Sequence, residues 1–274
     1  PLTFDEPGDY TIEYRATDNA GNTSEPGSVE FSVVAPPPPC PALSDSFDGD
    51  ELNRELWSAI VRENPDLYSV EGGDLVMTAT ATDIYGTNNT DTPNLILQPL
   101  PDGPWQATAQ LTMQAYQAYQ QAGLLVYGDD DNYAKMVLQG RDTSTSNPAT
   151  RIFQFIREEN GQPNEVGASN TGPLGAGFPD TVWVRFASDG QNLTAWYSAD
   201  GETFTPMPET KSLAGMTNPR IGLVALAGSG RPVTEVAFHE FVLATADCPE
   251  PEPEDTTPPT VTAQVAGDGS EQVT

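Results

Sequence analysis

Residues 121–138 read QAGLLVYGDDDNYAKMVL, and this stretch indicates the fold class. Two short apolar runs, AGLLVYG and YAKMVLQG, are separated by DDDN, which is turn chemistry. Side chains alternate between the two faces of a strand, so Lys135, which precedes Met136, faces away from the core. The stretch therefore predicts a β-hairpin with one apolar face.

The same pattern recurs along the middle of the chain. Turn signals such as EGGD, ENGQ, SDGQN and SADGE separate the runs, and no run has a convincing helical period. Ten or more short strands without helices predict a β-sandwich or a barrel. The further strand candidates are DLVMTATATD, LILQPL, WQATAQLTM, TRIFQFIRE, TVWVRFAS, LTAWYSA, RIGLVALA and VTEVAFHEFVLA.

Two proline-rich stretches, APPPPCP and CPEPEPEDTTPP, divide the chain, because such sequences favour extended spacers. The run GDYTIEYRATDNAGNTS before the first spacer resembles the last strands of bacterial immunoglobulin-like repeats. DTTPPTVTAQVAGDGS resembles the start of another repeat. We interpret the chain as a segment of a longer, multidomain protein. The predicted parts are residues 1–34 (immunoglobulin-like strands), 35–41 (linker), 42–247 (the complete domain), 248–259 (linker) and 260–274 (a second immunoglobulin-like start).

The charge of the chain restricts its partners. Forty acidic residues oppose eleven basic ones, for a net charge of −29. This field repels nucleic acid and anionic membrane surfaces and disfavours polyanionic polysaccharides, which leaves neutral glycans and neighbouring domains as partners. No stretch approaches the roughly 20 apolar residues of a membrane helix, so membrane insertion is not expected.

Two cysteines bracket the middle domain. Cys40 and Cys248 stand just outside its first and last strands, which often pair side by side in a secreted sandwich. An even count in an exported chain supports a disulfide, worth ~5 kcal/mol in the loop-entropy model. Two unpaired thiols are the alternative.

Four strings in the middle domain resemble concanavalin A-like jelly rolls, most closely the C-terminal domain of family-43 glycoside hydrolases of the β-xylosidase type. They follow the order of the family and cover nearly all of residues 44–244. Phe204 stands where that family usually has a tryptophan. The strings are SDSFDGDELNRELW, QAGLLVYGDDDNYAKMVL, TVWVRFASDGQNLTAWYSADGETFTPM and RIGLVALAGSGRPVTEVAFHEFVL.

The resemblance implies an all-β, two-sheet jelly-roll sandwich that accompanies a sugar-active catalytic domain or binds glycans, without being the catalyst. Hydrolases of this fold carry paired carboxylates in an ExDxxE or ExDxE spacing, and no such string occurs here. The adjacent Glu158 and Glu159 point to opposite faces. We therefore expect no catalytic residues in this segment, although the parent protein could be an enzyme through another domain.

Candidate glycan-binding residues are aromatic side chains that can stack on a sugar ring and polar side chains that can bind its hydroxyls. In WQATAQLTM, Trp105 shares a face with apolar residues and is expected in the core. The opposite face of that strand is polar, and the run QAYQAYQQ is a candidate rim of a groove. The candidates are Tyr85, Gln110, Tyr116, Lys135, Arg151, Trp183, Arg185 and Trp196.

A structural calcium is a further expectation, since jelly-roll binding modules often hold one where the terminal strands meet. Its candidate ligands are Asp45 and Asp48 with Glu240 or Asp247. The DDDN turn has a calcium-like spacing but lacks the glycine and glutamate of an EF-hand, so a hairpin tip is the simpler interpretation.

Taken together, the sequence favours a non-catalytic glycan-binding or accessory module of a secreted or cell-surface protein. A structural spacer or adhesion module without sugar binding is the first alternative. A polysaccharide hydrolase or lyase with an unrecognised site is the second.

Overall fold

The computed structural model describes residues 8–33, 43–87, 89–143, 146–165 and 169–248, and the backbone of 263–265 and 271–273. It divides into two compact units, residues 1–41 and 42–274. Within the described residues every long element is a strand, and the two helical elements are single 3-10 turns, Pro65–Leu67 and Pro148–Thr150. No helix in this part of the chain is long and apolar enough to cross a membrane.

The first unit is an antiparallel hairpin whose strands pair in register from Gly8 with Val33 to Tyr14 with Gly27. Tyr10 and Phe31 stack with their ring centroids 5.7 Å apart. That it belongs to an immunoglobulin-like repeat stays a prediction. Its strands are β1 (Gly8–Tyr14) and β2 (Gly27–Val33).

The second unit contains a seven-stranded and an eight-stranded antiparallel sheet, as the predicted sandwich requires. The seven-stranded sheet has the order β11-β10-β9-β8-β16-β6-β3. Its strands are β3 (Ala59–Val61), β6 (Leu95–Pro99), β8 (Gln121–Asp129), β9 (Asn132–Gln139), β10 (Ile152–Glu159), β11 (Gln162–Asn164) and β16 (Arg220–Leu226).

The eight-stranded sheet has the order β14-β13-β12-β7-β17-β5-β4, with β15 also paired to β13. A separate short hairpin, β18 (Ala263–Val265) with β19 (Glu271–Val273), follows in sequence. The strands of the eight-stranded sheet are β4 (Tyr68–Glu71), β5 (Asp74–Ala79), β7 (Trp105–Met113), β12 (Thr181–Ser188), β13 (Asn192–Ser198), β14 (Thr205–Pro206), β15 (Lys211–Ser212) and β17 (Thr234–Thr245).

The main core lies between the two sheets and follows strand alternation. On β7, Ala107, Ala109 and Leu111 are fully buried in it, as the pattern of WQATAQLTM predicts. Aromatic pairs join the layers, including Phe153 and Tyr197 with centroids 4.4 Å apart. Burial of this apolar surface is the principal stabilising contribution to the fold.

The first and last segments of the sandwich meet, as expected. Asp45 and Phe241 exchange two main-chain hydrogen bonds of 2.8 Å. Beside them Trp57 is 1 % exposed and packs edge-on against Phe241. Cys40 lies outside the described residues, so its predicted disulfide with Cys248 stays a prediction.

Candidate functional site

The outer face of the seven-stranded sheet, the face turned away from the main core, is covered by the segment between β5 and β6. Ile84 of this crossing segment (residues 80–94, of which 88 is not described) is fully buried in a second apolar cluster. The cluster includes Leu125 from β8, Tyr133 from β9 and Ile156 from β10. The central strands of this sheet are therefore buried on both faces.

The crossing segment leaves open a pocket of about 380 Å³ on the same face. This volume lies within the range of about 300–1,000 Å³ typical of ligand sites. Carboxylates, two cations, three glutamines and two tyrosines surround the space. The lining residues are Asp83, Tyr85, Tyr119, Gln121, Lys135, Gln139, Arg141, Gln154, Glu165 and Ser229.

Three glutamines on adjacent strands line the pocket from the sheet side. Gln121 on β8 stands directly opposite Gln139 on β9, and Gln154 on β10 accepts a 3.3 Å hydrogen bond from Gln139 Nε2. Gln154 Nε2 also donates to Glu165, and Arg141 donates to Gln139 Oε1 at 3.1 Å. These bonds orient the amides before any ligand arrives.

Gln121 is the exception among the three amides. Its Nε2 donates to the carbonyl of Tyr119 at 3.1 Å, but its Oε1 is buried without a hydrogen-bond partner. An unsatisfied buried acceptor costs about 1–3 kcal/mol. A ligand group that donates a hydrogen bond would remove this cost.

Lys135 lies among the glutamines and is 1 % exposed. No described residue accepts a hydrogen bond from its Nζ, which lies 5.7 Å from the centroid of the Tyr133 ring. Burial lowers the pKa of Lys135, although the negative charges of Asp83, Glu158 and Glu165 act in the opposite direction. Lys135 is therefore a desolvated cation that needs acceptors.

Glu158 forms a second buried polar group behind this site. Its Oε2 accepts from the backbone N–H of Gly86 and from the Tyr133 hydroxyl, both at 2.9 Å, whereas Oε1 is buried without a partner. Burial raises the pKa of the Glu158 carboxyl, and the two hydrogen bonds act against that rise. The Gly86 bond holds the crossing segment to β10.

Tyr85 and Glu165 close the pocket on the side of β11. The Tyr85 hydroxyl donates to Glu165 Oε2 at 2.9 Å. Burial, and then the bond to Glu165, raise the pKa of Tyr85 to about 12. Tyr85 therefore stays protonated and keeps donating this bond at any physiological pH.

Of the glycan-binding residues predicted from sequence, the structure places Tyr85 and Lys135 at this pocket. Four others lie on the outer face of the eight-stranded sheet. There Arg185 donates to Thr108 Oγ1 at 2.9 Å and its guanidinium lies 3.5 Å from the centroid of the Phe204 ring. The four residues are Gln110, Trp183, Arg185 and Trp196.

Tyr116 and Arg151 lie at a third place, outside the lining of the pocket. Arg151 is fully buried and donates to Asp180 Oδ1 at 2.7 Å and to the carbonyls of Pro148, Phe178 and Pro179. Tyr116 donates to the same carboxylate through Oδ2 at 2.8 Å. Four of its five N–H donors are used inside the chain, which supports a structural role for Arg151, and glycan binding by Arg151 or Tyr116 stays a prediction.

The carboxylates proposed for calcium do not converge. Asp45 accepts hydrogen bonds from the backbone N–H of Phe47 at 2.9 Å and from Trp57 Nε1 at 2.7 Å. Glu240 belongs to the eight-stranded sheet, paired with Gln110. Across the described ranges no three His, Cys, Asp or Glu residues group closely enough for a metal, and Asp48 joins no such group. Calcium binding stays a prediction without support from this geometry.

The DDDN turn serves the hairpin. Asp129 accepts from the Asp131 backbone N–H and from Asn132, both at 2.9 Å, and Asp130 pairs with Arg62 at 2.9 Å.

The single histidine, His239, is hydrogen-bonded to Thr112 at 2.7 Å and to Asp74 at 2.6 Å. These two hydrogen bonds involve both ring nitrogens, Nε2 with Thr112 and Nδ1 with Asp74.

Sequence reasoning missed Gln139, Gln154, Asp83 and Glu165, whereas Gln121 ends the run QAYQAYQQ that it named as a candidate rim. One signal was available, because Gln139 and Lys135 are four residues apart on one strand and so share a face. The rim predicted from QAYQAYQQ does contribute Tyr119, which is 41 % exposed and lines the pocket.

Comparison with known proteins places this geometry in context. Residues 44–224 match the family described as the β-xylosidase C-terminal concanavalin A-like domain. Among curated protein sequences, none matches the chain.

Solved structures share the fold at low sequence identity. The family-43 protein BlXynB from Bacillus licheniformis is 17% identical with a TM-score of 0.61, over 84% of this chain and 45% of that chain. A xylan β-1,4-xylosidase from Bacillus halodurans is 16% identical with a TM-score of 0.60 over the same shares. A functionally unknown protein from Saccharomyces cerevisiae is 16% identical with a TM-score of 0.52, over 68% of this chain and 95% of that chain. The chain thus spans less than half the length of the two bacterial proteins.

Proposed function

The chain belongs to the family of β-xylosidase C-terminal concanavalin A-like domains, and from that premise we propose that its sandwich is a non-catalytic module that binds a neutral glycan. The binding site in this proposal is the pocket beside the crossing segment. The module would act in a secreted or cell-surface protein, beside a sugar-active catalytic domain elsewhere in that protein.

The observation that carries the proposal is the set of polar groups lining the pocket. Sugar hydroxyls both donate and accept hydrogen bonds, and this pocket offers amides, an ammonium group and carboxylates to meet them. Tyr119 at the rim adds a flat ring against which a sugar can pack. A few convergent polar groups in a concave site are the usual sign of a ligand site.

The carboxylates of the pocket support a non-catalytic role. Glu165 accepts from Gln154 through Oε1 and from Tyr85 through Oε2, so both of its oxygens already orient neighbouring side chains. Asp83 Oδ1 accepts from the backbone N–H groups of Ile84 and Tyr85. Glycoside hydrolysis instead needs one carboxyl group to give up a proton and a second to act as nucleophile or base.

Affinity electrophoresis in gels containing xylan, arabinan or β-glucan tests this function, with and without calcium. We expect retardation by at least one polysaccharide and a loss of affinity of about fivefold in Tyr119→Ala, since aromatic contacts contribute about 1 kcal/mol. Trp196→Ala, on the outer face of the other sheet, is the matched control and should keep wild-type affinity.

Three results would count against the proposal. No retardation in any gel would favour a spacer module. Loss of binding in Trp196→Ala alone would move the site to the eight-stranded sheet. Release of sugar from the polysaccharide by the isolated protein would show a catalytic domain instead.

A further inference from the structure

We infer that the pocket receives the end of a neutral glycan chain rather than its middle. This inference rests on the proposed function and adds the mode of binding to it. It depends on where the crossing segment is attached and on which polar atoms are left without partners inside the pocket.

The crossing segment is attached to the seven-stranded sheet at two places. On the side of β16, the backbone N–H of Ala227 donates to Thr80 O at 2.7 Å and that of Gly228 donates to Thr82 O at 3.0 Å. On the side of β10, Gly86 N–H donates to Glu158 Oε2. β8 and β9 lie between these strands, so the segment spans three strand spacings, about 14 Å.

The remaining sides of the pocket are formed by groups that are also held in place. Tyr85 and Glu165 meet at 2.9 Å beside β11. Opposite them Tyr119 and Ser229 line the pocket, and the guanidinium of Arg231 lies 5.3 Å from the centroid of the Tyr119 ring. A glycan passing straight through would have to separate one of these contacts. A chain end can enter without doing so.

The unpaired atoms specify the chemistry of that end. Lys135 Nζ has no hydrogen-bond acceptor among the described residues, and Gln121 Oε1 is buried without a donor. A sugar hydroxyl can serve as either. An ionised carboxylate would be attracted by Lys135 and Arg141, but it can only accept, so it would leave Gln121 Oε1 unpaired, and it would meet the negative charges of Asp83, Glu158 and Glu165. The pocket therefore favours an uncharged unit that presents several hydroxyl groups.

Isothermal titration with oligosaccharides of increasing length, prepared from the polysaccharide that the gels identify, tests the mode of binding. For a chain-end site, the dissociation constant per chain should change less than about threefold from the trisaccharide to the hexasaccharide. Partial endo-hydrolysis of the polysaccharide should raise its binding capacity in proportion to the new ends. Reduction of the oligosaccharides to alditols then tells which end binds.

Two variants test the ligand contacts. Lys135→Met and Gln121→Leu should each weaken oligosaccharide binding about tenfold or more, because each removes a polar atom, Lys135 Nζ or Gln121 Oε1, that has no hydrogen-bond partner among the described residues. Gln106→Leu, on the outer face of the eight-stranded sheet, is the matched control for Gln121→Leu and should bind like the wild type. Circular dichroism checks that each variant folds.

The outcomes distinguish chain-end binding from the proposed glycan binding on which it rests. Capacity that follows polysaccharide mass, or affinity that rises steadily with chain length, would overturn chain-end binding and leave glycan binding intact. Wild-type affinity in both pocket variants would overturn the assigned contacts. An absence of binding to every glycan would overturn the proposed function, and chain-end binding with it.

Discussion

The two outer faces of the sandwich are built from the same alternating pattern, but their outward side chains are buried to different degrees. On β12 of the eight-stranded sheet, outward residues are half-buried and alternate strictly with buried ones. On β8, β9 and β10 of the seven-stranded sheet, nearly every residue is buried. The difference comes from the crossing segment, which covers only the second of these faces.

When a face of the sheet is covered, its polar side chains lose contact with water and need other hydrogen-bond partners. On the eight-stranded sheet, outward polar groups bond to one another, as Arg185 does with Thr108 and His239 with Asp74. On the seven-stranded sheet, Lys135 is 1 % exposed with no acceptor for its Nζ among the described residues, and Gln121 Oε1 is buried without a partner. Polar side chains point outward on both sheets. What distinguishes the candidate site from an ordinary solvent face is that some of its buried polar atoms have no hydrogen-bond partner.

The largest expected effect comes from a buried cation that makes four side-chain hydrogen bonds inside the chain. Replacing Arg151 by Met should lower the free energy of unfolding by about 3 kcal/mol or more, because it removes the ion pair with the partly buried Asp180 carboxylate and the guanidinium bonds to three carbonyls. Urea unfolding measures the change. A loss below about 1 kcal/mol would show that Arg151 is not the structural residue described above.

Lys135 is also a buried cation, but replacing it should raise the free energy of unfolding rather than lower it. The pKa of Lys135 is lowered in the folded state, so its ammonium is less stable there than in the unfolded chain. Lys135→Met keeps the apolar stem and removes that charge. We expect it to raise the free energy of unfolding at neutral pH by roughly 1–2 kcal/mol.

The pH dependence distinguishes this cause from a packing effect. Below its lowered folded-state pKa, Lys135 is charged in both states and the full cost is present. As the pH rises from that value toward 10.5, the folded state loses the proton first and the wild type gains stability. The advantage of Lys135→Met should therefore shrink at alkaline pH. A constant difference across this range would contradict a charge effect.

Much of the fold could be predicted because strand alternation is a local property of the sequence. The run WQATAQLTM separates Ala107 and Leu111 from Gln110, and the structure buries the first two in the main core. The orientation of Lys135 away from that core follows from the same rule. The family resemblance then supplied the two-sheet arrangement, which alternation alone does not specify.

The candidate site was less predictable because the crossing segment lacks the regular alternation of apolar and polar residues that identifies a strand. Its position depends on distant contacts, such as Gly86 with Glu158 and Tyr85 with Glu165. Without knowing which face it covers, outward residues such as Trp183 and Gln121 look equally suited to a glycan. Covering one face is what separates them.

The smallest expected effect belongs to the uncovered face. Arg185→Met removes a hydrogen bond to Thr108 and the contact of the guanidinium with Phe204, both in a partly hydrated setting. We expect it to lower the free energy of unfolding by about 0.5–1 kcal/mol, since neither contact is deeply buried. Urea unfolding gives this value, and the affinity gels should show unchanged glycan binding. Reduced binding in Arg185→Met would give the uncovered face a share in recognition and remove the contrast between the two faces.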